Sequence, residues 1–421
     1  MKKNNFFWIL IPVLAILLAA CGAGIKENPV LETDVVQSDQ EPTEAPPTET
    51  ADHPKADCED PFGSTTPAFR TDGWETNFCK HSVPFDEIFS GGPPRDGIPP
   101  IDNPHFESVS SADQWIEDLE PVILLDHQGE ARAYPLQILT WHEIVNDLIA
   151  EDPVAVTFCP LCNTALVFRR PVIDGATLTF GTSGNLRNSD LVMWDRQTES
   201  WWQQFTGEAI VGDLTGMKLE PLPAAIISWT DFKSGHPEGQ VLSINTGFIR
   251  DYGRNPYAGY DNVNNLPFAF SGELEDGNFP PMTRVVGVLT EDGQGGAFIR
   301  ELIQENQVLN ETLGEIPIAI FWKAGTASAL DSSAIPYGRD IGATAIYARE
   351  VDDQILSFSP NGDGTFTDQE TGTVWDILGA ALEGPLTGEQ LIPIPHHDTF
   401  WFAWAAFVPD GKLNEIGNLN E

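Results

Sequence analysis

Val154-Ala155-Val156-Thr157-Phe158-Cys159-Pro160-Leu161-Cys162-Asn163-Thr164-Ala165 is an apolar strand running into a Cys-x-x-Cys turn, and the chain carries a second version without the cysteines. In Pro317-Ile318-Ala319-Ile320-Phe321-Trp322-Lys323-Ala324-Gly325-Thr326-Ala327 the same kind of strand leads to the same Thr-Ala pair, two residues sooner. Pro153 and Pro317 lie 164 positions apart, as do Asn146 and Asn310, which sets His142 opposite Asn306. Farther along, Asp195, Thr198 and Trp202 return 173 positions later as Asp368, Thr371 and Trp375. The run from Gly207 to Pro221 returns 172 later as Gly379 to Pro393, with Ala209, Gly212, Leu214, Thr215, Gly216 and Leu219 all matched. Trp229 and Pro237 match Trp401 and Pro409, while His236 becomes Val408. Two copies make a pseudo-two-fold pair, because a solenoid needs three or more units.

The expected fold is α+β and β-rich, with two pseudo-symmetric lobes from an internal duplication, the first over 107–265 and a degenerate second over 266–421. Pro121 to Tyr134 alternates around Asp126-His127-Gln128-Gly129 and reads as a hairpin. Ile138, Trp141, His142, Val145 and Ile149 share one face of a helix, which places His142 on its apolar side. Strands are expected over Val154–Phe158, Leu166–Phe168, Leu178–Phe180 and Leu191–Trp194, separated by Gly, Asn and Ser turns. A scaffold that keeps two thiols and an imidazole in one copy alone implies that these groups serve chemistry rather than folding.

The N-terminus reads as a processing signal. Lys2 and Lys3 precede the apolar run Phe6 to Leu18, and Leu18-Ala19-Ala20-Cys21 reads as a lipoprotein cleavage box. Residues 1–20 would be removed, leaving Cys21 as the lipidated first residue. The apolar run is short for a membrane span, which takes roughly 20 residues. The expected location is extracytoplasmic, with the protein anchored to the membrane by lipidated Cys21. Residues 21–57, rich in Glu, Pro, Thr and Asp, form an acidic tether that cannot bury enough apolar surface to fold. Residues 58–106 are an N-terminal extension in which Cys58 and Cys79 are expected to form a disulfide. With 22 basic against 63 acidic residues and a net charge of -41, nucleic acid is excluded as a partner, since binding it takes clustered Lys and Arg.

Cys159-Pro160-Leu161-Cys162 admits three readings: a metal knuckle, a disulfide pinning the turn, or a thiol redox motif. The redox reading needs a helix after the first cysteine, whereas Thr164-Ala165-Leu166-Val167-Phe168 reads as a strand. A tetrahedral metal site needs about two ligands beyond the thiolates, and His142 and His236, each confined to one copy, are the candidates. A His-Glu-x-x-His zincin motif is excluded because Asn146 stands where the second histidine belongs. His396-His397 reads as a solvated loop. The stretch 181–190 contains neither a phosphate loop nor a Gly-x-Ser-x-Gly elbow. Its small polar residues and those of 251–261 would instead line a pocket, with Ser183, Asn185, Arg187, Asn188, Asp190, Arg254 and Tyr257 as lining residues. Ser359 to Glu370 mimics a calcium loop, but Ser359 replaces the first aspartate and strands flank it, so a hairpin is expected and calcium is not.

Several motifs, taken together, carry a resemblance. Gly91-Gly92-Pro93-Pro94-Arg95-Asp96-Gly97-Ile98-Pro99, Ala131-Arg132-Ala133-Tyr134-Pro135-Leu136 and Trp141-His142-Glu143-Ile144-Val145-Asn146-Asp147 are the first three. Phe158-Cys159-Pro160-Leu161-Cys162, Asn188-Ser189-Asp190 and Asp195-Arg196-Gln197-Thr198-Glu199-Ser200 complete the set. It resembles the bacterial family called domain of unknown function 3179, densely over 86–260 and more loosely beyond. The resemblance implies membership of that family and no particular reaction.

The function expected from these readings is an extracytoplasmic lipoprotein that binds a transition metal, copper or zinc, through Cys159, Cys162 and His142. Its role would lie in envelope metal handling or redox. The alternative is a non-metal ligand-binding or interaction module in which Cys159–Cys162 is a structural disulfide.

Overall fold

The computed structural model describes Cys58, residues 60–270, 272, 279–289 and 295–409, and the backbone of 412–414. The signal segment, Cys21 and the tether expectation lie outside the described residues.

Alternating apolar residues on either side of Gln128-Gly129, both at positive φ (52° and 86°), make a tight hairpin of β1 (Pro121–His127) and β2 (Glu130–Pro135). Helix α1 (Leu136–His142) follows, then β3 (Ile144–Ile149), β4 (Asp152–Cys159) and β5 (Thr164–Arg169) as a meander. The helix expected to run on to Ile149 stops at His142. Glu143 takes φ 58°, and the β-branched Ile144 and Val145 pair with Thr157 and Val156 of β4 instead. Val145 and Ile149 are buried, as the periodicity required, but from a strand.

A second meander comprises β6 (Phe180–Arg187), β7 (Asp190–Asp195), β8 (Trp201–Gln203) and β9 (Ala209–Val211). Then β10 (Ala225–Ser228), α2 (Trp229–Gly235) and β11 (Gln240–Leu242) return to the first hairpin, giving the order β10-β1-β2-β11 with β11 parallel to β2.

The same succession follows in the remainder of the chain. Hairpin β12 (Arg284–Leu289) and β13 (Gly295–Ile299) leads to α3 (Arg300–Asn306), then to β14 (Val308–Leu313), β15 (Ile316–Lys323) and β16 (Ala343–Ala348). A meander of β17 (Phe358–Pro360), β18 (Phe366–Asp368), β19 (Val374–Trp375) and β20 (Ala381–Glu383) comes next. Strand β21 (His397–Phe400), α4 (Trp401–Phe407) and β22 (Lys412–Asn414) close it, in the order β21-β12-β13-β22 with β22 parallel to β13.

Side-chain bonds recur with the elements. The Asn146 amide donates to the Phe180 carbonyl and accepts from the Phe180 N–H, and Asn310 does the same with Phe358. The indoles of Trp202 and Trp375 both donate, at 2.9 Å, to Asp195 and Asp368. Arg170 reaches the carbonyls of Asp147 and Leu178, and Arg349 those of Glu311 and Leu356.

The hydrophobic clusters do not stop at the midpoint of the chain. One joins Phe168, Phe180 and Trp202 to Val285, Phe400 and Trp404; another joins Val122, Ile227 and Phe232 to Phe321, Phe358 and Trp375. The extension is tied down by the Cys58–Cys79 disulfide and packs Phe69 and Phe85 against Trp201.

Candidate functional site

Two turns build the site. Between β4 and β5 the chain reverses through residues 160–163, and Asn163 supplies the left-handed position (φ 59°) that asparagine tolerates best after glycine. Between β6 and β7 the reversal is the two-residue turn Asn188-Ser189, at φ 48° and 66°. The second turn projects the Ser189 carbonyl toward both sulfurs, 3.9 Å from Cys159 Sγ and 3.5 Å from Cys162 Sγ. Asp190, the residue after it, then stands beside the thiols.

Cys159, Cys162 and Asp190 each offer one atom lying within 4.8 Å of the other two, and all three residues are buried. Both cysteines are free, so the disulfide considered from sequence is not formed. Asp190 Oδ2 accepts from the Gln203 side chain at 2.5 Å and from the Phe205 N–H at 2.9 Å. Its other oxygen, Oδ1, is buried with no nitrogen or hydroxyl donor, which leaves the two thiols as the carboxyl's remaining partners. A buried carboxylate oxygen left in that state is costly, which marks it as reserved for something else.

A second carboxyl stands close by. Glu143 is buried, and its carboxyl is pushed up to about 8 by burial first and then by the charge of Asp190, against a hydrogen bond from Tyr257. Burial also raises Asp190, to about 6, although Gln203, the Phe205 N–H and the thiols hold it down. Both thiols rise above the usual cysteine value through burial, Cys162 the more, with Asp190 adding to each. Burial raises Tyr257, with Glu143 adding to it, and pushes Tyr260 up to about 12. Every acid here is therefore held toward its protonated form.

His142 is not part of this group. Its Nδ1–H donates to the Pro99 carbonyl at 2.6 Å, and Nε2 accepts from the Tyr252 hydroxyl at 2.7 Å, so both ring nitrogens are engaged elsewhere. Burial lowers the imidazole to about 4, keeping it neutral. The helix that was expected to turn His142 toward the thiols ends at His142 instead of running on to Ile149, and it is the next residue, Glu143, whose carboxyl interacts with Asp190. His236 is also elsewhere, lining another cavity with its Nε2 4.0 Å from Asp126. His396 and His397 are buried rather than solvated, and His397 donates from Nε2 to the Phe205 carbonyl.

A cleft beside the thiol cluster, lined by Glu143, Leu161 and Leu191, has a volume of about 490 Å³, and segments 182–191 and 256–268 meet across it. Of the lining residues expected from sequence, Asn185 and Tyr257 face it, whereas Asp190 belongs to the thiol cluster. Ser183 lines a neighbouring hollow and donates to the Val192 carbonyl. Arg187 pairs with Glu87, Asn188 forms the turn, and Arg254 is exposed beside Asp251. Glu143 was passed over as a site residue in the reading of the sequence, and Tyr260 entered it only as part of the loop 251–261. Their signals were present in Trp141-His142-Glu143, where the carboxylate was passed over for the histidine, and in the aromatic pair Tyr257 and Tyr260.

The same motifs decide the family. Residues 95–411 match the model described as "Protein of unknown function (DUF3179)". The chain belongs to this family. No curated protein and no solved structure matches the chain. The family match spans both element series, from before β1 through α4 to just short of β22.

Proposed function

We propose that this DUF3179 protein binds a zinc ion through Cys159, Cys162 and Asp190, with Glu143 beside the ion. The observation that carries this is the buried Asp190 carboxyl, its Oδ1 without a nitrogen or hydroxyl donor, grouped with two free thiols. Burial and mutual repulsion hold these acids toward their protonated forms, and a divalent cation reverses that balance by favouring each charged form at once. The donor set also bears on the metal. Thiolates suit Cu(I) and Zn alike, but a carboxylate beside them is a familiar zinc ligand and a poor one for Cu(I). Thiol redox fits less well, because reactive Cys-x-x-Cys motifs have a lowered thiol value and these are raised.

The location and architecture are read in the same way. The cleavage box at Cys21 supports a lipid-anchored protein outside the cytoplasm. The paired sheet orders and the matched Asn–Phe and Trp–Asp bonds support an internal duplication in which one copy kept the metal ligands. Palmitate labelling that persists in a Cys21→Ser form would remove the anchor from this account.

The metal reading is tested by equilibrating reduced, tag-free protein with Zn(II) and measuring stoichiometry and competition with a chelator. One zinc per chain is expected. Cys159→Ser and Asp190→Asn should each weaken binding about tenfold or more, while His142→Gln should leave it unchanged. Equal loss in His142→Gln, or no retained zinc in the parent protein, would contradict it.

A further inference from the structure

We infer that the cleft beside the thiol cluster binds an uncharged, largely apolar small molecule whose hydrogen-bond acceptor takes the side-chain amide of Asn185. The inference shares a site with the zinc reading but does not depend on it, since Asn185 is not among the proposed ligands.

The cleft lies within the usual range for small-molecule sites, roughly 300–1,000 Å³. Its walls are Ile98, Leu161, Leu191, Tyr257, Tyr260 and Phe268. Neither lysine nor arginine lines it, so nothing in the wall would neutralise an anion. Against this wall Asn185 stands out. It is only 5% exposed, it lines the cleft, and its Nδ2 has no hydrogen-bond partner among the described residues. A buried amide left unsatisfied is costly, and this one is a donor, so it calls for an acceptor such as a ketone, ester or amide oxygen and disfavours a cation.

The backbone around Asn185 is shaped for the purpose. The β6–β7 register shifts between Thr182 and Asn185, and the intervening Gly184 takes φ 78°. A Cβ at Gly184 would meet the Pro93 carbonyl oxygen at 2.2 Å, so only glycine lets segment 91–93 close this side of the cleft. At the mouth, Phe268 is 53% exposed and Leu266, two residues before it, is 73% exposed. Apolar surface thus continues from the cleft onto its rim, as a lipophilic ligand requires.

The test uses the full-length protein, metal-free and zinc-loaded, titrated with the neutral naphthyl ketone 6-propionyl-2-dimethylaminonaphthalene while its emission is followed. Saturable binding at one site with blue-shifted emission is expected in both forms. Asn185→Leu should weaken it about five- to tenfold by removing one hydrogen bond. Ala258→Trp, which fills the cleft from an exposed lining position, should abolish it and leave thermal stability unchanged. The anionic naphthalene 8-anilinonaphthalene-1-sulfonate should bind at least about tenfold more weakly, because the wall offers its sulfonate no cation. The inference is overturned if the ketone fails to saturate, if it needs zinc, if both variants bind like the parent, or if the sulfonate binds as tightly. Loss of zinc binding with ketone binding retained would overturn the metal reading alone.

Discussion

Glu143 holds a left-handed backbone conformation that costs a residue with a Cβ roughly 1–2 kcal/mol. Its equivalent after α3, Gln307, holds nearly the same one, at φ 62°, and the two make matching bonds: Phe158 N–H to the Glu143 carbonyl, Trp322 N–H to that of Gln307. The backbone kink is therefore scaffold, and only the carboxyl is particular to the thiol side. That carboxyl titrates at about 8 in the folded protein against about 4.5 ordinarily. Because the folded value is raised, its contribution to stability is complete below pH 4.5 and is lost as pH climbs through 8. Metal-free protein should therefore melt at progressively lower temperature from pH 6.5 to 8.5, and Glu143→Gln should flatten the decline. An unchanged slope in the variant would show that Glu143 is not the group responsible. At this scale the sequence was half legible. The thiols could be read because the similar stretch from Pro317 to Ala327 lacks them, and Asp190 stood in a recognised motif. His142 misled because a helical period cannot reveal where a helix stops, and one residue decides which side chain turns inward.

Among elements, the two series of strands should respond alike to the same injury. Asn146 and Asn310 each bridge a strand to the N–H and carbonyl of a buried phenylalanine. Alanine at either position leaves those backbone groups unpaired, at about 1–3 kcal/mol each before any compensation by water. Asn146→Ala and Asn310→Ala should each destabilise by about 2–4 kcal/mol in denaturant unfolding. Asn146→Ala should be somewhat the costlier because it also loses a bond to Asp102. A negligible effect at Asn310 alone would argue that the matched bonds are coincidental. The hairpins, the strand on each side of the Cys turn and the spacing of the two series were all readable from alternation and turn residues. Boundaries were not. The strand from Ile144 to Ile149 carries a pattern that also satisfies a helix, and its pairing partner, β4, is what resolves it.

Over the whole molecule, the later series clamps the site built by the earlier one. The Cys162 carbonyl accepts from the Phe400 N–H at 3.1 Å and the Thr399 hydroxyl at 3.0 Å, and Asn163 donates to the Asp398 carbonyl. Thr399→Val removes no ligand atom, yet it should lower zinc affinity several-fold by loosening the turn that presents both sulfurs. Affinity equal to the parent would mean that the turn holds its shape without β21. Nothing in the sequence foretold this clamp, because contacts about 237 residues apart leave no periodicity behind. The central claim is the identity of the metal's neighbours, and X-ray absorption at the zinc edge of the reduced, singly loaded protein tests it most directly. Two sulfur atoms near 2.3 Å and oxygen near 2.0–2.2 Å, without the outer-shell scattering of an imidazole, are predicted for Cys159, Cys162 and Asp190. An imidazole signature, or a shell without sulfur, would contradict the account.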